Sequence, residues 1–377
     1  ISIGTPNAGR YIGDVNGDGF QDVLVWNASS TSDVPRVLLG SGSLATLGMV
    51  PMPQPRQVSH SGSRVGDLDG DGFAELAISE FDYEDQEDAT GIVHVYRGSA
   101  LLDLGSPLNL EPPAGSSETQ FGVALEGGLD LDSDGFPDLA VMDGDEGLIH
   151  IARGGSLDAL AFEASLESAS LVNASSTSDT PPRLLAAGDM NGDGHVDLAA
   201  YAFNTVASTD NSVVMVFPGG DPLPEEPLWS ITLDANVGLR WTGGTDFGDD
   251  GYADLLIDCG TDVGPGAFTA SIRFLPGGTS ATLEPIQVGD FGPTTSNTAQ
   301  VASGDYDGDG HRDLVAGTAT TSQADRKWLS GDATMTESPT CSQPEESFSQ
   351  VGDWCSAKTV TVTAASPREK YLGALVQ

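Results

Sequence analysis

Six times along the chain, oxygen-bearing side chains recur as Asp-x-Asp/Asn-x-Asp-Gly-x-x-Asp/Glu, the fifth copy imperfect. Counted from the first acid, positions 1, 3, 5 and 9 offer side-chain oxygens and position 7 offers a backbone carbonyl. The copies are Asp14, Asn16, Asp18, Phe20 and Asp22; Asp67, Asp69, Asp71, Phe73 and Glu75; and Asp130, Asp132, Asp134, Phe136 and Asp138. They continue with Asp189, Asn191, Asp193, His195 and Asp197; Asp246, Asp250, Tyr252 and Asp254; and Asp305, Asp307, Asp309, His311 and Asp313. An all-oxygen donor set of this kind suits the roughly six to eight ligands of Ca²⁺, and a glycine at position 6 permits the sharp turn. Three or four carboxylates in one turn repel one another, and a divalent ion reverses that. We expect about five to six Ca²⁺ ions, with the fifth loop weakest because Gly248 stands at its position 3.

Rival chemistries fit less well. An EF-hand needs a bidentate Glu at position 12, which is Val25, Ile78, Val141, Ala200 and Ala316 in the five complete copies. There is no Gly-x-Ser-x-Gly elbow, His-Glu-x-x-His, Cys-x-x-Cys or phosphate-binding Gly-x-x-x-x-Gly-Lys, so no catalytic residue is assigned and the chain is read as a non-enzyme. His195 and His311 fall where the backbone is the ligand, so their side chains are expected to be incidental. His94 and His150 occupy equivalent strand positions and read as architecture; His60 is unassigned.

Each loop runs into an apolar strand, such as Val23 to Trp26 or Leu139 to Met142, and a second apolar strand ending in glycine follows. These end at Gly40, Gly98, Gly154, Gly219, Gly277 and Gly331. First ligands fall 53 to 63 residues apart, and a trace of a seventh unit surrounds Asp353. A repeat of this length has room for about four short strands, the content of a propeller blade. The expected fold is all-β: one domain over residues 1–377, a seven-bladed β-propeller of four-stranded blades. Ile1 to Ile3 would complete the last blade and close the ring, which removes free sheet edges.

Composition agrees. The 48 glycines and 22 prolines, with no long helical periodicity, point to turns and strands. A formal net charge of -41 excludes nucleic acid and anionic membrane surfaces as partners, and 21 of the 56 acidic residues belong to the loops. With 38% hydrophobic residues grouped into strands, the acidity does not mean disorder. No apolar run is long enough for membrane insertion. Cys341 and Cys355 are placed to form a disulfide, and Cys259 reads as a buried thiol.

With these motifs in hand, the chain resembles the FG-GAP repeat family, typified by the propeller of integrin α subunits. The loops and glycine-ended strands carry the resemblance; Phe121-Gly122 and Phe291-Gly292 match its Phe-Gly element and Tyr96 to Ser99 partly matches Gly-Ala-Pro. It implies a calcium-stabilised, secreted or cell-surface module, monomeric, for protein binding or adhesion; the alternatives are a carbohydrate-binding lectin and a propeller polysaccharide-processing enzyme. If the acidic loops join strands one and two, the ligand face is the opposite one. There lie residues 27–34, 81–90, 112–120, 173–182 and 202–211, the heptapeptide Asn-Ala-Ser-Ser-Thr-Ser-Asp at Asn27 and Asn173, and Phe81, Tyr83 and Phe203. Trp26, Trp229, Trp241, Trp328 and Trp354 are expected between blades.

Overall fold

The structure is a computed structural model. It describes residues 8–26, 35–42, 48–52, 59–81, 91–102, 104, 106–113, 120–144, 146–167, 171, 182–204, 211–233, 240–247, 250–264, 267–279, 286–294, 300–304, 313–319, 324–330, 336–337 and 341–342. Short apolar runs punctuated by glycine and acidic turns become antiparallel strands, and the strands are grouped by repeat. The first sheet is β1 (Ala8–Gly13), β2 (Asp22–Trp26), β3 (Arg36–Leu39) and β4 (Gly48–Pro51). The second is β5 (Ser59–Gly66), β6 (Glu75–Phe81), β7 (Ile92–Tyr96) and β8 (Leu108–Leu110). The third is β9 (Phe121–Leu129), β10 (Asp138–Asp143), β11 (Leu148–Ala152) and β12 (Phe162–Glu167). The fourth is β13 (Arg183–Gly188), β14 (Asp197–Asn204), β15 (Asn211–Phe217) and β16 (Trp229–Leu233).

The fifth sheet is β17 (Arg240–Thr245), β18 (Asp254–Gly264), β19 (Ala267–Leu275) and β20 (Ile286–Thr294). The sixth is β21 (Gln300–Gly304), β22 (Asp313–Ala319), β23 (Ala324–Ser330) and β24 (Thr336–Glu337), with β25 (Cys341–Ser342) also paired to β23. Every sheet keeps its strands in chain order. Every acidic loop therefore joins strand one to strand two, as the spacing predicts, and the two-to-three connections leave from the other end. Helix among the described residues is confined to short 3₁₀ turns such as Leu157–Ala159. The chain divides into two compact units, Ile1–Ala186 with His195–Thr232, and Ala187–Gly194 with Leu233–Gln377.

In the first unit the cores lie between successive sheets, because strand two of each interior sheet is buried on both faces. Leu76 and Ile78 of β6 face a cluster with Ile12, Leu24 and Val37 of the first sheet. Ala77, between them, joins Leu139 and Val141 of the third sheet in the next cluster. Ala140 and Met142 of β10 turn to Ala200, Met215 and Phe217 of the fourth sheet. Two-faced burial explains why these strands are apolar without a polar alternate. First strands β1, β5 and β9 neighbour one another in series.

The glycines that end strand three mark close backbone approaches. A Cβ at Gly98 would fall 2.5 Å from the Ala74 carbonyl oxygen and 2.6 Å from Phe73 Cβ, and one at Gly219 2.5 Å from the Val196 oxygen. At Gly72 the constraint is different: φ is +94° with open space around it.

His94 and His150 are architectural, as expected. Each is buried and bonds through Nδ1 to its register partner on strand four, Asn109 Oδ1 at 2.7 Å and Ser165 Oγ at 2.8 Å. His150 also packs against Phe121 and Phe162. Burial pushes its pKa below 6.5, Glu146 only partly opposing, and the buried Nε2 has no acceptor beside it for the N–H that an imidazolium would donate.

Several expectations lie outside the described residues: Ile1 to Ile3, the seventh unit with Asp353, Trp354 and Cys355, and most of the two-to-three and four-to-one loops, including both heptapeptides and Tyr83. So do the side chains of His60, Trp26, Trp241, Trp328, Phe81, Phe203, Cys259 and Cys341. Trp229 is buried.

Two outcomes follow from these placements. Gly98→Ala should lower unfolding free energy by about 2–3 kcal/mol in urea titrations, against about 1 kcal/mol for Gly72→Ala. Because the folded pKa of His150 is depressed, its contribution is full above 6.5 and is lost as pH falls below that value. The urea midpoint of His150→Gln should accordingly depend less on pH between 7.5 and 5.5 than that of the parent.

Candidate metal centre

Within each of the first five loops the first carboxylate organises the turn. Asp67 accepts the Asp71 amide at 3.0 Å and the Gly72 amide at 2.8 Å. Asp14 does the same for Asp18 and Gly19, Asp189 for Asp193 and Gly194, and Asp246 for Asp250 and Gly251. In the third loop Asp130 Oδ2 accepts Gly135 at 3.1 Å. Position 5 accepts the position-7 amide: Asp18 from Phe20, Asp71 from Phe73, Asp134 from Phe136 and Asp250 from Tyr252. In loops one and four the position-3 side chains, Asn16 and Asn191, donate to Asp18 and Asp193.

Position 9 has a role that its type and spacing do not predict. Asp22, Glu75, Asp138, Asp197 and Asp254 are buried, and four of them bridge two backbone amides. One amide belongs to loop position 2 and the other to the glycine ending strand three. Asp22 takes Val15 at 2.9 Å and Gly40 at 2.8 Å; Asp138 takes Leu131 at 2.9 Å and Gly154 at 3.1 Å; Asp254 takes Phe247 at 2.6 Å and Gly277 at 2.7 Å. Glu75 takes Leu68 at 2.7 Å and a longer contact to Gly98 at 3.4 Å, and Asp197 takes Gly219 at 3.1 Å. The recurrent strand-end glycine of the sequence is the far end of this staple.

Neighbouring loops also lock to one another. The carbonyl of position 2 accepts an amide just past the strand-three glycine of the next repeat: Val15 from Ser99, Leu68 from Gly155, Leu131 from Gly220 and Met190 from Gly278, all at 2.7–2.9 Å. Position 4 of one loop meets position 7 of the next. Gly17 lies under the ring of Phe73, Gly70 under Phe136 and Gly192 under Tyr252, with no room for a Cβ. At the remaining junction the pair is Ser133 and His195, joined Oγ to Nδ1 at 2.9 Å, with Ser133 at φ +60°. The His195 side chain is thus not incidental; it replaces an aromatic-on-glycine contact by a hydrogen bond. His311 lies outside the described residues.

The donor geometry fits a cation. Asp67, Asp69 and Asp71 bring one carboxylate oxygen each within 4.8 Å of one another, and Asp130, Asp132 and Asp138 do likewise. Asp130 Oδ1 is buried and accepts no hydrogen bond. Burial, opposed by the Leu68 amide and reinforced by Asp69, pushes Glu75 up to about 7; burial also raises Asp138 to about 6 against the amides of Leu131 and Gly154. Asp69 is raised by burial and by Asp71, and Asp22 by burial. Carboxylates that resist ionisation together are those a divalent cation would relieve. In the fifth loop Asp246, Asp250 and Asp254 hold the same internal bonds, while Gly248 and Asp249 lie outside the described residues, as does most of the sixth loop, Asp305 to Arg312.

An FG-GAP-like repeat model matches residues 14–78 and 130–200, and an FG-GAP repeat model matches 297–324. Over those stretches the chain carries FG-GAP-like repeats. The FG-GAP matches begin at the first acids of loops one and three and cover all the complete loops; the imperfect fifth falls outside them. Integrin alpha-PS2 of Drosophila melanogaster is 31% identical over 160 residues, covering 35% of this chain and 11% of that protein. Integrin alpha-7 of Mus musculus is 37% identical over 141 residues, covering 36% and 11%. The FG-GAP stretch thus spans about a tenth of the length of these relatives. A solved chain described as the crystal structure of the eukaryotic initiation factor has a TM-score of 0.41 and 13% identity over 90% of this chain and 77% of that one, a likeness too low to decide anything.

The staple makes a prediction separable from metal binding. Asp138→Asn must turn an amide group toward either the Leu131 or the Gly154 N–H, so it should cost about 2 kcal/mol in chelator. Asp134→Asn keeps its acceptor for Phe136 and should cost less than about 0.5 kcal/mol under the same conditions.

Proposed function

We propose that this chain is a calcium-stabilised, seven-bladed β-propeller that acts as an extracellular protein-binding or adhesion module, without catalysis of its own. The observation that carries the calcium reading is the third loop, where Asp130, Asp132 and Asp138 converge and a buried Asp130 oxygen accepts no hydrogen bond. Asp14, Asn16, Asp18 and Asp22, and the matching residues of the other loops, would hold the ions with the position-7 carbonyls. Bound there, an ion supplies the positive charge that offsets carboxylate repulsion. The remaining work belongs to the protein: the position-1 acid shapes the turn and the position-9 acid ties it to strand three.

Three features support a closed propeller. Sheets of four antiparallel strands recur with the period of the repeat, first strands β1, β5 and β9 run in series, and each of the first four loops is locked to the next repeat. Closure of this kind leaves no free edge.

The ligand face would be the end opposite the acidic loops, where long polar connections leave the sheets. Among the described residues no helix is long and apolar enough to cross a membrane. Loops of this type bind calcium with dissociation constants of about 10⁻⁴ to 10⁻³ M in extracellular modules, which suits a compartment rich in calcium.

Chelation should lower the melting temperature by about 10 °C or more and calcium should restore it; an unchanged melting curve would overturn the calcium reading. For the partner, calcium-loaded protein should capture extracellular-matrix proteins whether or not they are deglycosylated. Binding to glycans alone, on an array, would replace the protein reading by a lectin.

A further inference from the structure

Loops two and three differ from loops one and four in two positions that change together. Position 3 is Asp69 and Asp132 in the former, Asn16 and Asn191 in the latter; the residue before the strand-three glycine is Arg97 and Arg153 in the former, Leu39 and Pro218 in the latter. The fold brings these two positions into contact. Arg153 Nη1 lies 2.8 Å from Asp132 Oδ2, whose side chain is 6% exposed, and Arg97 Nη1 lies 3.5 Å from Asp69 Oδ2. Each guanidinium also holds an acid from the next repeat, Arg97 that of Asp158 and Arg153 that of Asp221 at 3.3 Å; Arg153 Nε reaches Glu163 at 4.0 Å. The four-acid loops with arginine and the three-acid loops with asparagine therefore carry the same net charge. The sixth loop departs from this pairing in sequence, with Asp307 and Ser330, and its loop residues lie outside those described.

We propose that Arg97 and Arg153 are built-in counter-cations of loops two and three, which weaken cation binding there and hold those loops against the following repeat when no cation is present. The inference rests on the calcium reading above. Its physical basis is direct: a cation arriving at Asp132 or Asp69 meets a like charge beside its ligand, and a guanidinium cannot shed its proton to make way. The second acid on each arginine keeps that charge in place, so the opposition is permanent. In the absence of an ion the same contact neutralises a carboxylate that would otherwise repel its neighbours. Leu39 and Pro218 need supply nothing of the kind, because Asn16 and Asn191 add no charge.

Calorimetric calcium titration and melting curves of the full chain, with chelator and with saturating calcium, test this. Arg153→Gln should tighten one site, that of the third loop, by about three- to tenfold and should lower the melting temperature more in chelator than in calcium. Unchanged or weaker affinity, or an equal loss of melting temperature in both conditions, would overturn the proposal. Should that variant not fold, the pair Asp132→Asn with Arg153→Leu rebuilds the chemistry of Asn16 and Leu39. It should bind calcium more tightly than Asp132→Asn alone, and equal or weaker binding overturns the proposal. A parent protein that neither binds calcium nor melts differently with it would defeat the calcium reading and this inference together, whereas calcium binding insensitive to the arginines defeats the inference alone.

Discussion

The buried acid at position 9 is the contact on which each repeat depends. A carboxylate in a nearly dry setting is costly unless its oxygens are engaged, and here they are engaged by amides that no strand ladder uses. Asp22, Asp138 and Asp254 each join the second residue of an acidic loop to the glycine that ends strand three. One side chain thereby fixes the exit of strand one, the entry of strand two and the end of strand three. The glycine is required because the same approach brings its Cα onto the carbonyl before strand two, leaving no space for a Cβ. An acid needed for burial and an acid available to a cation are then the same residue, and its high proton affinity follows from that double placement.

From this staple the repeats become mutually dependent. A single sheet buries strand two on both faces, so it cannot be satisfied alone; its neighbours supply the missing apolar surface on each side. The polar end repeats the theme, since the position-2 carbonyl of each of the first four loops is capped by an amide of the next repeat. Stability distributed this way is a sum of repeat and junction terms. The Ser133 and His195 junction shows that a junction tolerates different chemistry when both partners change: a hydroxyl and an imidazole stand where a glycine and an aromatic ring stand elsewhere.

Much of this was legible in the residues. Asp67 to Glu75 announces an oxygen-donor turn because its acids alternate and a glycine sits at position 6, and the strand after it is marked by Leu76 to Ser79 rather than by a helix-compatible Glu. The period of the repeat gave four strands per unit, and the described sheets have that order. Less legible were the arginines. Arg97 and Arg153 are distant in sequence from Asp69 and Asp132 and look like ordinary strand-end cations; only their covariation with position 3 signals a pairing, and that signal is visible only once the repeats are aligned on their glycines. His195 looked incidental for the same reason: its partner, Ser133, is a full repeat away.

The division between what the chain's order determines and what three dimensions decide follows from range. Local spacing determines the loops, because a turn of nine residues sets its own donor pattern, and it determines strand identity, because apolar runs bounded by glycine have few alternatives. It also carries the likeness to FG-GAP repeats over residues 14–78, 130–200 and 297–324. Tertiary structure alone decides that the position-9 acid binds strand three, that Gly70 must yield to the ring of Phe136, and that an arginine opposes one loop and spares another. Those contacts join residues about 16 to 66 positions apart, where no short motif can carry the information and only the packing of one repeat on the next brings the groups together.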